Sequence, residues 1–234
     1  MQRTDWSRVA HAGMEIMNPL TPAKLDEAIG AMGYINGSLA IELGCGKGAL
    51  LGRLNDTYVG GVGVDWDREL LEEARRRAPD FELIEADVTT FTTSRTFNLA
   101  ASIGGPATLA QLATLVEPGG HVLFGSGYWR REPGLAYLAA LDTTREELCD
   151  YAGTIAAGEA YGLEPRYAVT ASVDDFDRYE WRWSLNGERY AAAHPDEPGV
   201  GEFLAWIRNG RRRYVELGGR ETLGFGLFIF ERLA

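Results

Sequence analysis

Leu39-Ala40-Ile41-Glu42-Leu43-Gly44-Cys45-Gly46-Lys47-Gly48 carries a short apolar run into one acid and then into glycines at alternate positions. A helical segment, Ala49-Leu50-Leu51-Gly52-Arg53-Leu54, follows at once. Glycine has no Cβ, so the chain can turn tightly here and a ligand can lie against its backbone. The helix behind offers free N–H groups at its start to a polar or anionic group. Strand, glycine turn and helix in this order predict a small-molecule cofactor loop; a glycine turn without a ligand is the plainer alternative.

The spacing selects among cofactor loops. A dinucleotide fingerprint has its third glycine five residues after the first, and a phosphate-binding P-loop needs Gly-Lys followed by Ser or Thr. Here Gly48 comes four residues after Gly44, and Lys47 is followed by Gly48. The order acid-x-Gly-x-Gly-x-Gly, with Glu42 two residues before Gly44, resembles motif I of the class I S-adenosylmethionine-dependent methyltransferases.

Two further acids extend the pattern. Val62-Gly63-Val64-Asp65-Trp66-Asp67 reads as a second buried strand ending in an acid, with Asp65 21 residues after Gly44. That is close to the spacing at which an acid meets a ribose in a strand-helix-strand unit, and a carboxylate can accept strong hydrogen bonds from both ribose hydroxyls. Asp67 to Arg77 follows as an amphipathic helix, apolar at Leu70, Leu71 and Ala74, with Glu72/Arg76 and Glu73/Arg77 at i,i+4 spacing. Phe81 to Val88 supplies a third strand ending at Asp87. A lone aspartate at such a place is most simply a helix cap or a turn residue. Strand-end acids recurring behind one glycine loop point instead to a shared ligand.

The resemblance implies S-adenosylmethionine as cofactor and S-adenosylhomocysteine as product. It implies cofactor contacts from Glu42, Gly44, Cys45, Gly46 and Gly48, from Asp65 and Trp66, from Asp87 and Val88, and from Ser102 and Ile103. Asp87 would accept from the adenine amino group.

Composition sets the frame. A chain of 234 residues with 45% hydrophobic content suits one α/β domain with accessory parts. No apolar run approaches a membrane span, and the first twenty residues mix charges with apolar positions, unlike a secretory signal. The two cysteines, Cys45 and Cys149, lack metal-like spacing, so neither a metal nor a disulfide is expected and a reducing cytoplasm is the expected setting. A net charge of −11 argues against nucleic acid as a partner, and Arg211-Arg212-Arg213 is most simply one solvated helix face. Nothing here fixes the oligomeric state.

The remaining elements predict a doubly wound, mostly parallel sheet of seven strands whose last strand, following the family pattern, is antiparallel. Phe97 to Ile103 reads as the fourth strand, and Pro106 suits the first turn of the next helix. Glu117-Pro118-Gly119-Gly120 reads as a turn before a fifth strand, His121 to Gly125. A long helical stretch, Thr143 to Gly162, leads to a sixth strand from Arg166 to Ala171, and Thr222 to Phe230 forms the last. Strands alternating with helices imply cover on both faces, with ligand at the carboxyl ends of the strands. The expected organisation is one methyltransferase domain over 1–234. Within it 1–35 form a helical leader, 36–172 the cofactor-binding core, 173–217 a helical cap insertion and 218–234 the last strand.

The leader and the insertion are assigned to the substrate, because lids commonly come from such additions. Tyr128 and Trp129 after the fifth strand, with Tyr179 and Trp181 in the insertion, are the candidate substrate-binding aromatics; plain packing is the alternative for each taken singly. A general base is needed only for an acceptor that arrives protonated. Of His11, His121 and His194, only His11 lies in a stretch, Val9 to Pro19, that resembles the leader of small-molecule members of the family. His11 is the candidate catalytic residue, with a surface or capping histidine as the alternative. The loop Ile103-Gly104-Gly105-Pro106 lacks the polar head and aromatic of base-specific amino-methyltransferases. The expected function is methyl transfer to an oxygen or nitrogen of a small molecule. The alternatives are a protein or peptide methyltransferase, a non-catalytic cofactor-binding module and, more distantly, a NAD-linked oxidoreductase.

Overall fold

The computed structural model describes residues 1–33, 37–55 and 58–233. The expected boundary between leader and core, at 35/36, lies outside the described residues. The chain opens with helices α1 (Arg3–Ala10) and α2 (Pro22–Met32). The first half of the sheet follows as β1 (Ala40–Leu43), α3 (Ala49–Leu54), β2 (Gly61–Asp65), α4 (Arg68–Arg77), β3 (Phe81–Glu85), β4 (Phe97–Ile103) and α5 (Leu109–Leu115). Then come β5 (Val116–Trp129), α6 (Leu135–Leu141), a 3-10 turn (Arg145–Glu147), α7 (Tyr151–Glu159), β6 (Leu163–Thr170), α8 (Val173–Ala193), α9 (Val200–Val215), α10 (Gly219–Thr222) and β7 (Leu223–Arg232).

The seven strands form one sheet in the order β3-β2-β1-β4-β5-β7-β6. The pairs from β3 through β5 are parallel, and β7 runs antiparallel to both β5 and β6. The strand order reverses at β1, and β1 and β2 are buried along their whole lengths, as strands covered on both faces must be. Reversal at β1 opens the crevice where ligands of such sheets bind.

Four expectations are corrected. Thr143 to Gly162 is not one helix: Asp150 accepts from the Gly153 N–H and starts α7 afresh, after the 3-10 turn capped by Thr144. Glu117 to Gly120 is not a turn ahead of β5 but part of it. There the register against β4 slips, with Val116 opposite Phe97 and His121 opposite Leu99, so the surplus residues bulge. β5 runs on beyond Gly125 to Trp129, because the long antiparallel β7 pairs it out to Trp129↔Leu223. Pro106 stands before the α5 cap, Thr108, and not in the helix itself.

The insertion is a helical hairpin. Cβ atoms at Gly187 and Gly210 would come within 2.4 Å of Ile207 and 2.7 Å of the Trp183 ring, so both positions must be bare for α8 and α9 to pack this closely. α1 docks on the hairpin through Trp6 and Ala10, which share a cluster with Trp183, Phe203 and Ile207. The leader is thus held from outside by the insertion, and its inner side faces the glycine loop.

Candidate functional site

At the carboxyl ends of β1, β2 and β4 lies a cavity of about 260 Å³. The glycine loop forms its floor. Val64 carbonyl accepts from the N–H groups of Gly44 (2.8 Å) and Cys45 (3.0 Å), which pulls the loop back over β2. Gly46 N–H donates to Asp65 Oδ2 (2.8 Å) and Asp67 N–H to Asp65 Oδ1 (2.9 Å). Asp65 therefore ties the loop to the end of the second strand while lining the cavity. Gly46 has φ +50°, and a Cβ there would point at Met17 Sδ, 3.7 Å away. Gly48 (φ +72°) serves packing, since its Cβ would lie 3.0 Å from Ala74 of α4.

The electrostatics are those of a site awaiting a donor-rich or cationic guest. Glu42 is buried and its Oε2 has no hydrogen-bond partner. Burial, reinforced by the neighbouring Asp65 charge, pushes its carboxyl well above the ordinary range. Burial also raises Asp65, against the pull of the N–H groups that it accepts. A positive charge or several donors in the cavity would relieve both.

The leader forms the opposite wall with Glu15, Ile16, Met17 and Asn18. Lys47 fastens it: its buried Nζ donates to the carbonyls of His11 (2.8 Å) and Met14 (3.2 Å). Asn18 Oδ1 is a second buried atom without a partner on this wall. His11 is buried behind the wall, not in it. Its Nδ1 donates to Ser7 carbonyl (2.7 Å), which leaves Nε2 to accept from Tyr179 Oη (2.9 Å). Burial lowers its pKa to about 4, with the Ser7 carbonyl opposing and the Lys47 charge adding to the shift.

Glu42, Gly44, Cys45, Gly46, Asp65, Trp66, Val88 and Ile103 line the cavity as the sequence suggests, and Trp66 shows 55% of its surface beside it. Gly48, Asp87 and Ser102 do not. Asp87 lies two residues past β3, exposed, and accepts from the N–H and hydroxyl of Thr89, so its carboxylate is engaged in its own turn. The candidate aromatics are corrected. Tyr128 and Trp129 are buried away from the cavity because β5 runs on through them: Tyr128 packs edge-on against Tyr151 and Phe228, and Trp129 donates to Arg145 carbonyl. Trp181 is 53% exposed on the outer side of α8. Tyr179 alone of the four reaches the leader. Sequence reasoning missed Lys47 and Asn18; a lysine inside a glycine loop that is not a P-loop was the available signal.

Comparison with known proteins places the geometry. A family model described as a methyltransferase domain matches residues 40–120. The chain is similar to a S-adenosylmethionine-dependent methyltransferase of Thiobacillus denitrificans, solved in complex with S-adenosyl-L-homocysteine. The identity is 27%, the TM-score 0.86, and 99% of each chain is covered. It is likewise similar to one from Geobacter sulfurreducens, also with S-adenosyl-L-homocysteine, at 25% identity and TM-score 0.87 over 99% of this chain and 98% of that one. An uncharacterized Escherichia coli protein, YjhP, is 27% identical over 94% of this chain and 95% of its own length. With the sheet order, the antiparallel β7 and the glycine loop, these likenesses show the class I, Rossmann-like methyltransferase fold and support S-adenosylmethionine-dependent methyl transfer.

Proposed function

We propose that the protein methylates an oxygen or nitrogen of a small-molecule acceptor, with the cofactor held in the cavity over the glycine loop. One observation carries the reading: Glu42 and Asp65 are buried together beside that loop, and Glu42 Oε2 has no partner. A ligand bearing an ammonium, a sulfonium and a ribose diol supplies the donors and positive charge that such a pair lacks. When bound, S-adenosylmethionine supplies a methyl group on a positively charged sulfur.

The chain's own residues bind and orient. Asp65 would accept from the diol, Trp66 would offer a flat face to the adenine, and Gly46 lets backbone and ligand meet without a side chain between them. Residues 1–35 act as the leader in this reading, its Glu15–Asn18 segment excluding water from the reacting side. The covered cavity favours a small acceptor over a peptide, which would need an open groove. His11, neutral and already bonded on both ring nitrogens, acts as a positioning residue for Tyr179 and the leader in place of the expected base. The two free cysteines suit a reducing cytoplasm, and no helix among the described residues is long and apolar enough to cross a membrane.

The test is S-adenosylhomocysteine release in pooled small metabolites. Acceptor-dependent release is expected. Cofactor binding without release in any pool would favour a binding module, and release only with protein substrates would favour the peptide alternative.

A further inference from the structure

A second chamber lies behind the His11–Tyr179 pair, between the leader, α6, α8 and α9, with a volume of about 240 Å³. Ser7 borders both this chamber and the cofactor cavity, so the two are neighbours across the first turns of the leader. Its walls are rich in aromatic rings. Trp183 and Trp206 meet at 4.7 Å between ring centroids, and Tyr137 and Tyr214 face them from α6 and the end of α9.

Two charged groups also line it, Glu180 of α8 and Arg213 of α9. Among the described residues neither is in an ion pair and Glu180 accepts no hydrogen bond. Arg213 spends one nitrogen on Ala140 carbonyl (3.2 Å), at the end of α6. Burial pushes the Glu180 carboxyl up to about 7, and the nearby guanidinium only partly offsets this. A carboxylate and a guanidinium that share one chamber without closing on each other leave room for a guest with both opposite charges. The rings then take its apolar body.

We propose that this chamber binds a zwitterion of the amino-acid type, its ammonium on Glu180, its carboxylate on Arg213 and an apolar or aromatic body among the tryptophans and tyrosines. That the guest is the methyl acceptor rests on the proposed function; that the chamber binds a zwitterion does not. A lone cation would leave Arg213 unanswered, and a lone anion would leave Glu180 so.

The test compares three probes with one body and different charge: L-phenylalanine, phenethylammonium and 3-phenylpropanoate. Each is titrated into the full chain by calorimetry and by tryptophan fluorescence, which Trp183 and Trp206 should report. L-Phenylalanine should bind at least about tenfold tighter than either singly charged probe. Glu180→Gln should bring L-phenylalanine down to the affinity of 3-phenylpropanoate and leave that anion unchanged; Arg213→Gln should act the opposite way, on the carboxylate. Circular dichroism checks folding, and if Arg213→Gln does not fold, Glu180→Gln decides. A singly charged probe binding as tightly as the zwitterion, an unaffected Glu180→Gln variant, or no binding of any probe would overturn the proposal. S-adenosylhomocysteine, titrated into the same proteins, keeps the two readings apart. Wild-type affinity in Glu180→Gln is expected, whereas no binding to the wild type would sink the cofactor assignment and leave zwitterion selectivity standing.

Discussion

Asp65 joins two functions in one carboxylate. It holds the glycine loop through Gly46 N–H and the start of α4 through Asp67 N–H, and it lines the cavity. Asp65→Ala should weaken S-adenosylmethionine binding by about 1.5–3 kcal/mol per charged hydrogen bond lost. It should also lower stability, since two N–H groups lose their acceptor; calorimetric titration and thermal melting separate the two effects. Glu42 predicts the opposite sign in stability. Its carboxyl keeps its proton to higher pH in the fold than in the unfolded chain. That favours folding below the ordinary carboxylate range and penalises it as pH rises towards the folded value. Glu42→Gln removes the penalty, so it should raise the stability of the ligand-free protein at pH 8 by about 0.5–2 kcal/mol and do less at pH 4. Cofactor affinity should fall in the same variant. A melting temperature unchanged or lowered at pH 8 would show that Glu42 is better satisfied than its orphaned oxygen indicates. These residues were legible in the sequence because a glycine loop and strand-end acids are local patterns. Tyr128 and Trp129 were not, since their direction depends on how far β5 runs, and that is set by β7, a strand far along the chain.

Among the elements, the leader was expected over the site from its resemblance, but its way of docking was not legible in any local pattern. Its helix α1 was not anticipated, and its packing against α8 and α9 depends on contacts between distant segments. Besides that packing and the Asn186 amide on the carbonyls of Ala10 and Ala12, two contacts are testable: Lys47 on the carbonyls of His11 and Met14, and the neutral His11 between Ser7 and Tyr179. The unfolded imidazole protonates near 6.5 and the docked one only near about 4. Docking therefore has its full strength above pH 6.5 and weakens as pH falls towards 4, by up to about 3 kcal/mol. Hydrogen exchange of residues 3–18, corrected for intrinsic rates, should rise over that interval before the sheet opens. His11→Gln should remove the pH dependence; an unchanged acid profile would mean that another group controls docking. Lys47→Met should loosen the same segment at neutral pH, with exchange about tenfold faster there and unchanged in β1, β4 and β5. Equal acceleration in the sheet would show that Lys47 supports the core and not the leader.

The whole molecule follows from one reversal of strand order. Sequence patterning indicated seven strands and helices within 173–217, since each is a periodic segment bounded by turn residues, while the antiparallel last strand came from the family resemblance and the fifth strand proved much longer than expected. It did not give the layering. The leader and the insertion were both expected to close the cofactor cavity, yet of the two only the leader lines it, and the hairpin packs on the leader from outside. Nor did it show the second chamber, which exists only where α6, α8, α9 and the leader meet. The most direct check on the account is a calorimetric titration of the wild-type chain with S-adenosylhomocysteine and, separately, with NADH. One equivalent of S-adenosylhomocysteine should bind, with the affinity falling in Asp65→Ala, and NADH should not bind. Tight NADH binding with no affinity for S-adenosylhomocysteine would contradict the account at its centre.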